Sequence, residues 1–383
     1  MSVGSRPGMR RYPLLIALVA FVAACAPPAE APDDPAAAPE ENGAAETAEP
    51  DADAPAADDD EQALVEAAIE EGSVGYWHTL MTPETAEELA TAFRERYGLG
   101  DDFTVEFTAL STADLATRAE QEIGAGAVSV DVLSTGAAPF FYGLLEDGEI
   151  TEYNSPSHEA YEAAFEAGIG EPGYFAGDAI SLGFPMWNPA HIDLEIEEWA
   201  DLLEYDLTDQ VMIGDAENSL THLATYMGMR QVLDREFFEQ LAEFNPGATV
   251  RADDIAQSMV TGEFPVTSTG TPSRGYQTER DGVDLEIAYP TDGVVLVPQN
   301  WAILEQAPHP NAAKLLIDFV FSEEGQRVYQ DGEAAISGRA GFESPSDKWA
   351  PPLEELNVIE MDWASITPQD EEEALEEWRE IFR

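Results

Sequence analysis

Residues 283–339 read VDLEIAYPTDGVVLVPQNWAILEQAPHPNAAKLLIDFVFSEEGQRVYQDGEAAISGR. A β-rich run, Leu285 to Tyr289, enters the turn Pro290-Thr-Asp-Gly293, and a second apolar run follows from Val294 to Leu304. Leu315, Leu316, Phe319 and Val320 then recur at helical spacing. The predicted order is strand, turn, strand, helix.

Working outward, the residues before this stretch alternate in type. Ala63 to Glu70 is a short helical lead, Ser73 to Trp77 a strand, and Thr82 to Tyr97 an amphipathic helix with Thr82 as N-cap and Gly98 as its stop. Phe103 to Leu110 is the next strand, Ala113 to Ile123 a helix and Val130 to Leu133 a short strand. Such alternation implies a mostly parallel sheet with helices on both faces. A β-rich run from Ala179 to Trp187 then opens a second region. There Val211 to Gly214 and Phe264 to Ser268 read as strands, and a helix through Met229, Arg235 to Phe244 and Ala252 to Thr261 read as helices. The tail ends in an acidic helix, Pro368 to Phe382, expected to pack on the first region.

Three groups of residues together resemble the substrate-binding proteins of ABC importers, in the branch that includes the ferric-ion binders. They are Gly75-Tyr-Trp-His78 with a helix ending Phe93-Arg-Glu-Arg-Tyr-Gly98, Asp131-Val-Leu-Ser-Thr135, and the helix with its Asn311-Ala-Ala-Lys start and Ser322-Glu-Glu-Gly-Gln end. The resemblance implies an α/β, two-lobed type II periplasmic-binding-protein-like fold. Each lobe is expected to be a mixed, mostly parallel sheet flanked by helices, joined to its partner by a two-strand hinge. Lobe 1 is expected to comprise 63–178 plus 290–383, and lobe 2 to comprise 179–289, with crossings near 179–187 and 285–290. The expected partners are a small-molecule solute and an ABC permease with its ATPase subunits, and the expected state is a monomer.

The formal charge is -60, from 77 acidic residues against 17 basic ones. Long-range repulsion from nucleic acid and anionic lipid surfaces excludes both as direct ligands. The acidic excess runs through the folded region and points to a halophilic setting, where salt near 1 M screens charge within about 3 Å.

Arg6, Arg10 and Arg11 precede an apolar run from Leu14 to Ala24, which reads as a signal peptide over 1–24. Val22-Ala-Ala-Cys25 resembles a lipobox, making Cys25, the only cysteine, the expected lipid anchor at the outer face of the cell membrane or in the periplasm. Residues 25–62 are rich in Ala, Pro, Asp and Glu and read as a disordered tether of roughly 30 Å typical span.

No P-loop, GxGxxG, GxSxG or HExxH motif is legible, so the chain reads as a binding protein rather than an enzyme, with no cofactor, and any ATP hydrolysis belongs to a partner. Open α/β sheets bind ligands outside the carboxyl ends of their strands. The candidate ligand residues at such ends are Tyr76, Trp77 and His78; Ser111 and Thr112; Ser134 and Thr135; Asn218 and Ser219; Thr269, Thr271, Arg274 and Tyr276; and Asp292 in the turn after the returning strand. Ser and Thr there either cap helices or present hydroxyls to oxygen-rich ligands. Arg274 suits a phosphate, phosphonate or carboxylate.

The ferric branch uses a histidine after the first strand, a glutamate after the Asp-Val strand and a tyrosine pair in the second lobe. His78 matches the first, but Gly136 stands in the glutamate's place and Thr269-Gly-Thr-Pro-Ser-Arg274 in the tyrosines' place. On the strength of Arg274 and the Ser/Thr clusters, an oxyanion-bearing or hydroxyl-rich organic solute is the expected cargo. The alternatives are a ferric ion, or a polyamine held by Glu217 or Asp292. From other classes they are a secreted enzyme or a sensory lipoprotein on the same fold.

Overall fold

A strand that must run parallel to its neighbour returns through a helix, and the chain follows this rule from its first ordered turn. The computed structural model describes residues 59–180 and 183–383. The expected signal peptide, Cys25 and almost all of the tether lie outside the described residues. In chain order come α1 (Asp59–Glu71), β1 (Ser73–His78), α2 (Pro83–Tyr97), β2 (Thr104–Ala109), α3 (Thr112–Ala125), β3 (Val132–Thr135) and α4 (Ala138–Glu146). Next are α5 (Glu162–Glu166), β4 (Gly170–Glu171), β5 (Phe175–Ile180), β6 (Phe184–Trp187), β7 (Val211–Gly214), α6 (Leu220–Met229) and α7 (Arg235–Glu243). Then come β8 (Gly247–Thr249), α8 (Ala252–Thr261), β9 (Val266–Gly270), α9 (Pro272–Arg280) and β10 (Glu286–Ile287). The chain closes with β11 (Val297–Ile303), α10 (Pro310–Val320), α11 (Glu323–Glu333) and α12 (Pro368–Phe382).

These strands form two sheets, a six-stranded one ordered β2-β1-β3-β11-β5-β4 and a five-stranded one ordered β10-β6-β9-β7-β8. β1 lies parallel to both β2 and β3, whereas β11 runs antiparallel between β3 and β5. All seven residues of β11 are buried, so its sequence does not alternate between an inner and a solvent face, and its two polar residues, Gln299 and Asn300, are buried with the rest. The chain changes sheet between β5 and β6 and again between β10 and β11. The segment that changes sheet on the return is thus 288–296, which overlaps the end of the expected 285–290 and extends beyond it. Glu286–Ile287 is an edge strand antiparallel to β6, and Pro290, having no N–H to donate, cannot extend that ladder.

The helix expected after β11 is two helices. Ser322 does not end a helix; its hydroxyl accepts from the Gly325 N–H at 3.0 Å and opens α11. At the start of α10, the Glu71 carboxylate of α1 accepts from the backbone N–H groups of Asn311 and Ala312 at 3.2 and 2.8 Å, satisfying donors that a helix N-terminus leaves free. Thr82 caps α2 as expected, and Ser111 caps α3.

The C-terminal helix α12 lies elsewhere than expected. Its buried Ala374 and Trp378 join Trp199, Leu223, Phe238 and Leu241 in the core beside the five-stranded sheet, and Arg230 of the α6 end pairs with Glu377 at 2.7 Å. The tail packs on α6 and α7 of the second lobe, not on the first. An amphipathic stripe requires burial without naming the surface that provides it.

Gly325 touches the bend between α10 and α11, where a Cβ would be driven into the Phe319 carbonyl oxygen, whereas a Cβ on Gly124 in α3 meets nothing within 4 Å. Substitutions to alanine should therefore have opposite signs. Gly325→Ala should lower stability by about 1–3 kcal/mol, and Gly124→Ala should raise it by about 0.4–1 kcal/mol, measured by denaturant unfolding in high salt.

Candidate functional site

Each parallel strand turns into its helix at its carboxyl end, so the first-lobe loops 79–82 and 109–112 project from one edge of the six-stranded sheet. They face the second-lobe loops 215–219 and 250–252 and the first turn of α9. Between them lies a cleft of about 430 Å³ lined by Thr79, Leu80, Ser111, Thr112, Asn218, Ser219, Thr221, His222, Arg251, Asp253 and Arg274. The N-caps of four helices line this space: Thr82 of α2, Ser111 of α3, Ser219 of α6 and Arg251 of α8. Each first turn presents the positive end of its helix dipole, but the open N–H groups lie chiefly at the starts of α3, α6 and α8: α2 begins with Pro83, and its Thr82 and Thr85 N–H groups are taken by Glu333 and by the Thr82 hydroxyl. The lobes touch here directly, Thr112 Oγ1 and Thr221 Oγ1 lying 2.8 Å apart.

Of the expected ligand residues, the structure brings Ser111, Thr112, Asn218, Ser219 and Arg274 to this cleft. Tyr76 and Trp77 do not reach it, and the period-two alternation of β1 sends them to opposite faces of the sheet. Tyr76 is fully buried against Phe107 and Trp301, and its hydroxyl lies 3.6 Å from Met81 Sδ. Trp77 packs beneath the Arg118 guanidinium, 4.2 Å from its ring centre.

His78 organises the loop from below. Its Nδ1 accepts the N–H groups of Leu80 at 3.0 Å and Met81 at 2.8 Å, which puts the proton on Nε2. Burial first, and then the Arg274 charge, lower its pKa to about 3. Gln299 of β11 donates to Thr79 Oγ1 at 3.2 Å and Ser134 Oγ at 3.1 Å, so Ser134 serves the same loop. The Thr135 hydroxyl is buried and has no partner among the described residues.

Thr269 is a strap: its Oγ1 accepts from the Gly214 N–H at 2.7 Å and joins β9 to β7. Thr271 opens α9 and lines, with Leu80, Ser273, Tyr329 and Glu333, a void of about 10 Å³, close to the room one water needs. Tyr276 turns away from the cleft, and its hydroxyl donates to the Asp331 carbonyl at 3.2 Å. Asp292 is also remote, its carboxylate accepting from the Trp199 N–H at 3.2 Å. Trp187 belongs to the second-lobe core.

The largest departure is Arg274, whose guanidinium is already engaged. It donates to the Leu80 carbonyl at 2.8 Å and to Gln277 Oε1 at 2.8 Å, and it pairs with Glu333 at 3.5 Å. Its Nε lies 2.6 Å from Asp253 Oδ1, a close ion-pair contact rather than an aligned hydrogen bond. Sequence reasoning missed Thr79, Thr221, His222, Arg251 and Glu333. Thr221 and His222 sit on the first turn of α6, where helical phase could have flagged them after Ser219. Glu333, in an acid-rich chain, gave no signal.

Asp178 was also missed. It is fully buried on β5 opposite Gln299, near Tyr161 and Tyr329, and burial raises its pKa to about 8 despite a lowering contact with Gln326.

Two α/β lobes whose strand-end loops meet over a polar cleft define a two-lobed ligand-capturing protein. Residues 129–362 match the family described as bacterial extracellular solute-binding protein, and the chain belongs to that family. It is 24% identical over 317 residues to an uncharacterised protein of Haemophilus influenzae, covering 76% of this chain and 86% of that one. Its fold is similar to the substrate-binding protein of an ABC transporter from Agrobacterium tumefaciens, with a TM-score of 0.70 and 14% identity over 81% of this chain and 94% of that one. Two further fold neighbours are AfuA of Actinobacillus pleuropneumoniae with fructose-6-phosphate bound (TM-score 0.68, 20% identity, 81% and 98% covered) and iron-bound HitA of Pseudomonas aeruginosa (0.64, 18%, 81% and 99%). Among the described residues no helix is long and apolar enough to cross a membrane.

The raised pKa of Asp178 means that the fold favours its protonated form. Its stabilising contribution is full below about pH 4, the unfolded carboxyl range, and is lost as pH rises through about 8. His78 and His222, lowered to about 3 and about 4, act oppositely: their contribution is present above about pH 6.5 and is lost as pH falls. Asp178→Asn should therefore gain stability relative to the parent steadily between pH 4 and 8, measured by denaturant unfolding across that range.

Proposed function

We propose that this protein is the solute-capturing component of an ABC importer, closing its lobes on a small oxyanion-bearing or hydroxyl-rich organic solute and delivering it to a permease coupled to ATPase subunits. In this reading the chain is exported and held at the membrane by lipid on Cys25, the six-stranded sheet carries one lobe, and the five-stranded sheet with α12 carries the other. Contacts from both lobes favour the closed state, which the permease recognises.

The observation that carries the ligand class is the convergence of four helix N-termini on one cleft, with the hydroxyls of Ser111, Thr112, Ser219 and Thr221 beside them. Free N–H groups and dipole ends favour negative oxygens. Arg251, 64% exposed and paired among the described residues with the surface acids Asp253 and Asp254, is a cleft cation able to turn toward a ligand. The sugar phosphate bound by the fold neighbour AfuA is of this chemical class.

Two rivals fit less well. A glutamate in the place of Gly136 would need room that is filled, since a Cβ there already meets Thr221 Cγ2 at 3.0 Å, and the second lobe offers hydroxyls where iron would need anionic oxygens. For a polyamine, the two carboxylates expected to hold it are engaged, Glu217 by Arg379 and Arg383 and Asp292, away from the cleft, by the Trp199 N–H, and Asp253 of the cleft contacts Arg274 and Arg251.

A thermal-shift screen in high salt should show stabilisation by phosphorylated sugars or phosphonates and none by polyamines or ferric salts, because a ligand bound only by the folded state raises its stability. Stabilisation by polyamines or iron alone overturns the reading. With the ligand found, Arg251→Ala should weaken its binding by roughly tenfold or more in calorimetry, the scale of one charge-assisted hydrogen bond.

A further inference from the structure

The contacts between α9 of the second lobe and the end of α11 of the first are those of a fastener. An α-helix ends with carbonyls that have no partner of their own. In α11, the Asp331 carbonyl accepts from Tyr276 Oη at 3.2 Å and from Arg280 at 3.0 Å, and the Gly332 carbonyl accepts from Gln277 Nε2 at 3.4 Å. The donors all come from α9. The next residue, Glu333, is 2% exposed and gathers both lobes on one carboxylate. Its Oε1 accepts from the Thr82 N–H at 2.8 Å and from Thr82 Oγ1 at 3.1 Å, while its Oε2 accepts from Gln277 at 3.0 Å and pairs with Arg274 at 3.5 Å. Arg274 reaches past it to the Leu80 carbonyl at 2.8 Å.

Taken alone, the end of α11 is locally unfavourable. A carboxylate at the last helical residue faces the negative end of the helix dipole, and Ala334 after it is held at φ 43, in the left-handed region that alanine avoids. Local costs of this kind persist only where surrounding contacts outweigh them. Here those contacts come largely from the opposite lobe and include a buried charge, which salt screens far less than a surface pair. Separating the lobes would leave the Glu333 carboxylate and the α11 carbonyls without their α9 donors.

We infer that Glu333 is a positioning residue that fixes Arg274 as an interlobe latch, so that this protein is substantially closed before any solute enters. The latch removes Arg274 from the set of ligand contacts. It also sets solute affinity indirectly, since the free energy with which the latch holds the lobes shut need not come from the ligand. The inference rests on the two-lobed reading but not on the ligand class.

The test uses the full chain without ligand, with Cys25 replaced by Ser and spin labels on cysteines placed at the exposed positions Glu88 and Gln240, one per lobe. In the parent, pulsed electron resonance should give one dominant short distance in high salt. Glu333→Gln and Arg274→Ala should each shift the population toward a longer distance, changing the closed-to-open ratio by roughly tenfold to a hundredfold. Arg274→Lys, which keeps charge but not the fork, should fall between the parent and Arg274→Ala. Near-UV circular dichroism checks that each variant is folded, and Arg280→Ala, altering an exposed contact, supplies a milder variant with a smaller shift in the same direction. A parent that is already open, or distances unchanged in the folded variants, overturns the latch. Neither result bears on which solute stabilises the protein, so failure here is separable from failure of the oxyanion reading.

Discussion

The placement of β11 between β3 and β5 is the constraint on which the rest depends. A strand arriving from the other lobe and running antiparallel to both neighbours fills the centre of the six-stranded sheet and joins the βαβαβ opening to the outgoing strand β5. Its backbone is satisfied on both edges, so the crossing segment before it is anchored in the deepest part of the lobe. Gln299 on this strand reaches the Thr79 loop and Ser134, so the same strand that ties the lobes together also shapes one wall of the cleft.

The cleft sets a local field against a global one. A chain of formal charge -60 should repel an anion, yet several helix N-termini and two arginines line one small space. The opposition is one of range. Charges spread over the surface are screened within a few ångströms in strong salt, whereas N–H groups and short dipole ends act within about one helical turn of the ligand. In strong salt the long-range repulsion of an anion is muted, whereas short-range contacts at the helix starts are not. Arg274 illustrates the selection that follows, since an arginine at a helix start is still lost to the ligand when Asp253, Glu333 and the Leu80 carbonyl surround it.

Buried polar groups do the positioning. His78 is kept neutral by burial and spends its Nδ1 on two loop N–H groups, which makes the loop after β1 a fixed wall. Thr269 performs the same office between β7 and β9. Asp178 is the exception, an acid held protonated near neutrality beside two tyrosines at the start of a lobe crossing. The hydrogen bonds these groups make confer rigidity, and the titratable ones among them, Asp178, His78 and His222, are where pH acts on the fold.

Much of the architecture was legible because it depends on local patterns. Strand and helix alternation from Ser73 to Leu133, the caps at Thr82 and Gly98, and the apolar run of β11 all follow from side-chain periodicity and cap chemistry, which neighbours in sequence determine. The seat of α12 was not legible, because Ala374 and Trp378 require an apolar surface without specifying which, and β10 stopped short because Pro290 breaks a ladder whose partner lies elsewhere. At the site, Ser111, Thr112, Asn218 and Ser219 could be read because strand ends and helix starts are local features. Tyr76, Trp77, Tyr276 and Asp292 misled, since strand alternation and the partners they meet in space turn them away from the cleft. By itself the sequence determined the class of fold and the kind of groups that gather at its strand ends. Only the tertiary structure decided which of them remain available to a ligand, because a guanidinium or hydroxyl is committed by partners that arrive from distant parts of the chain.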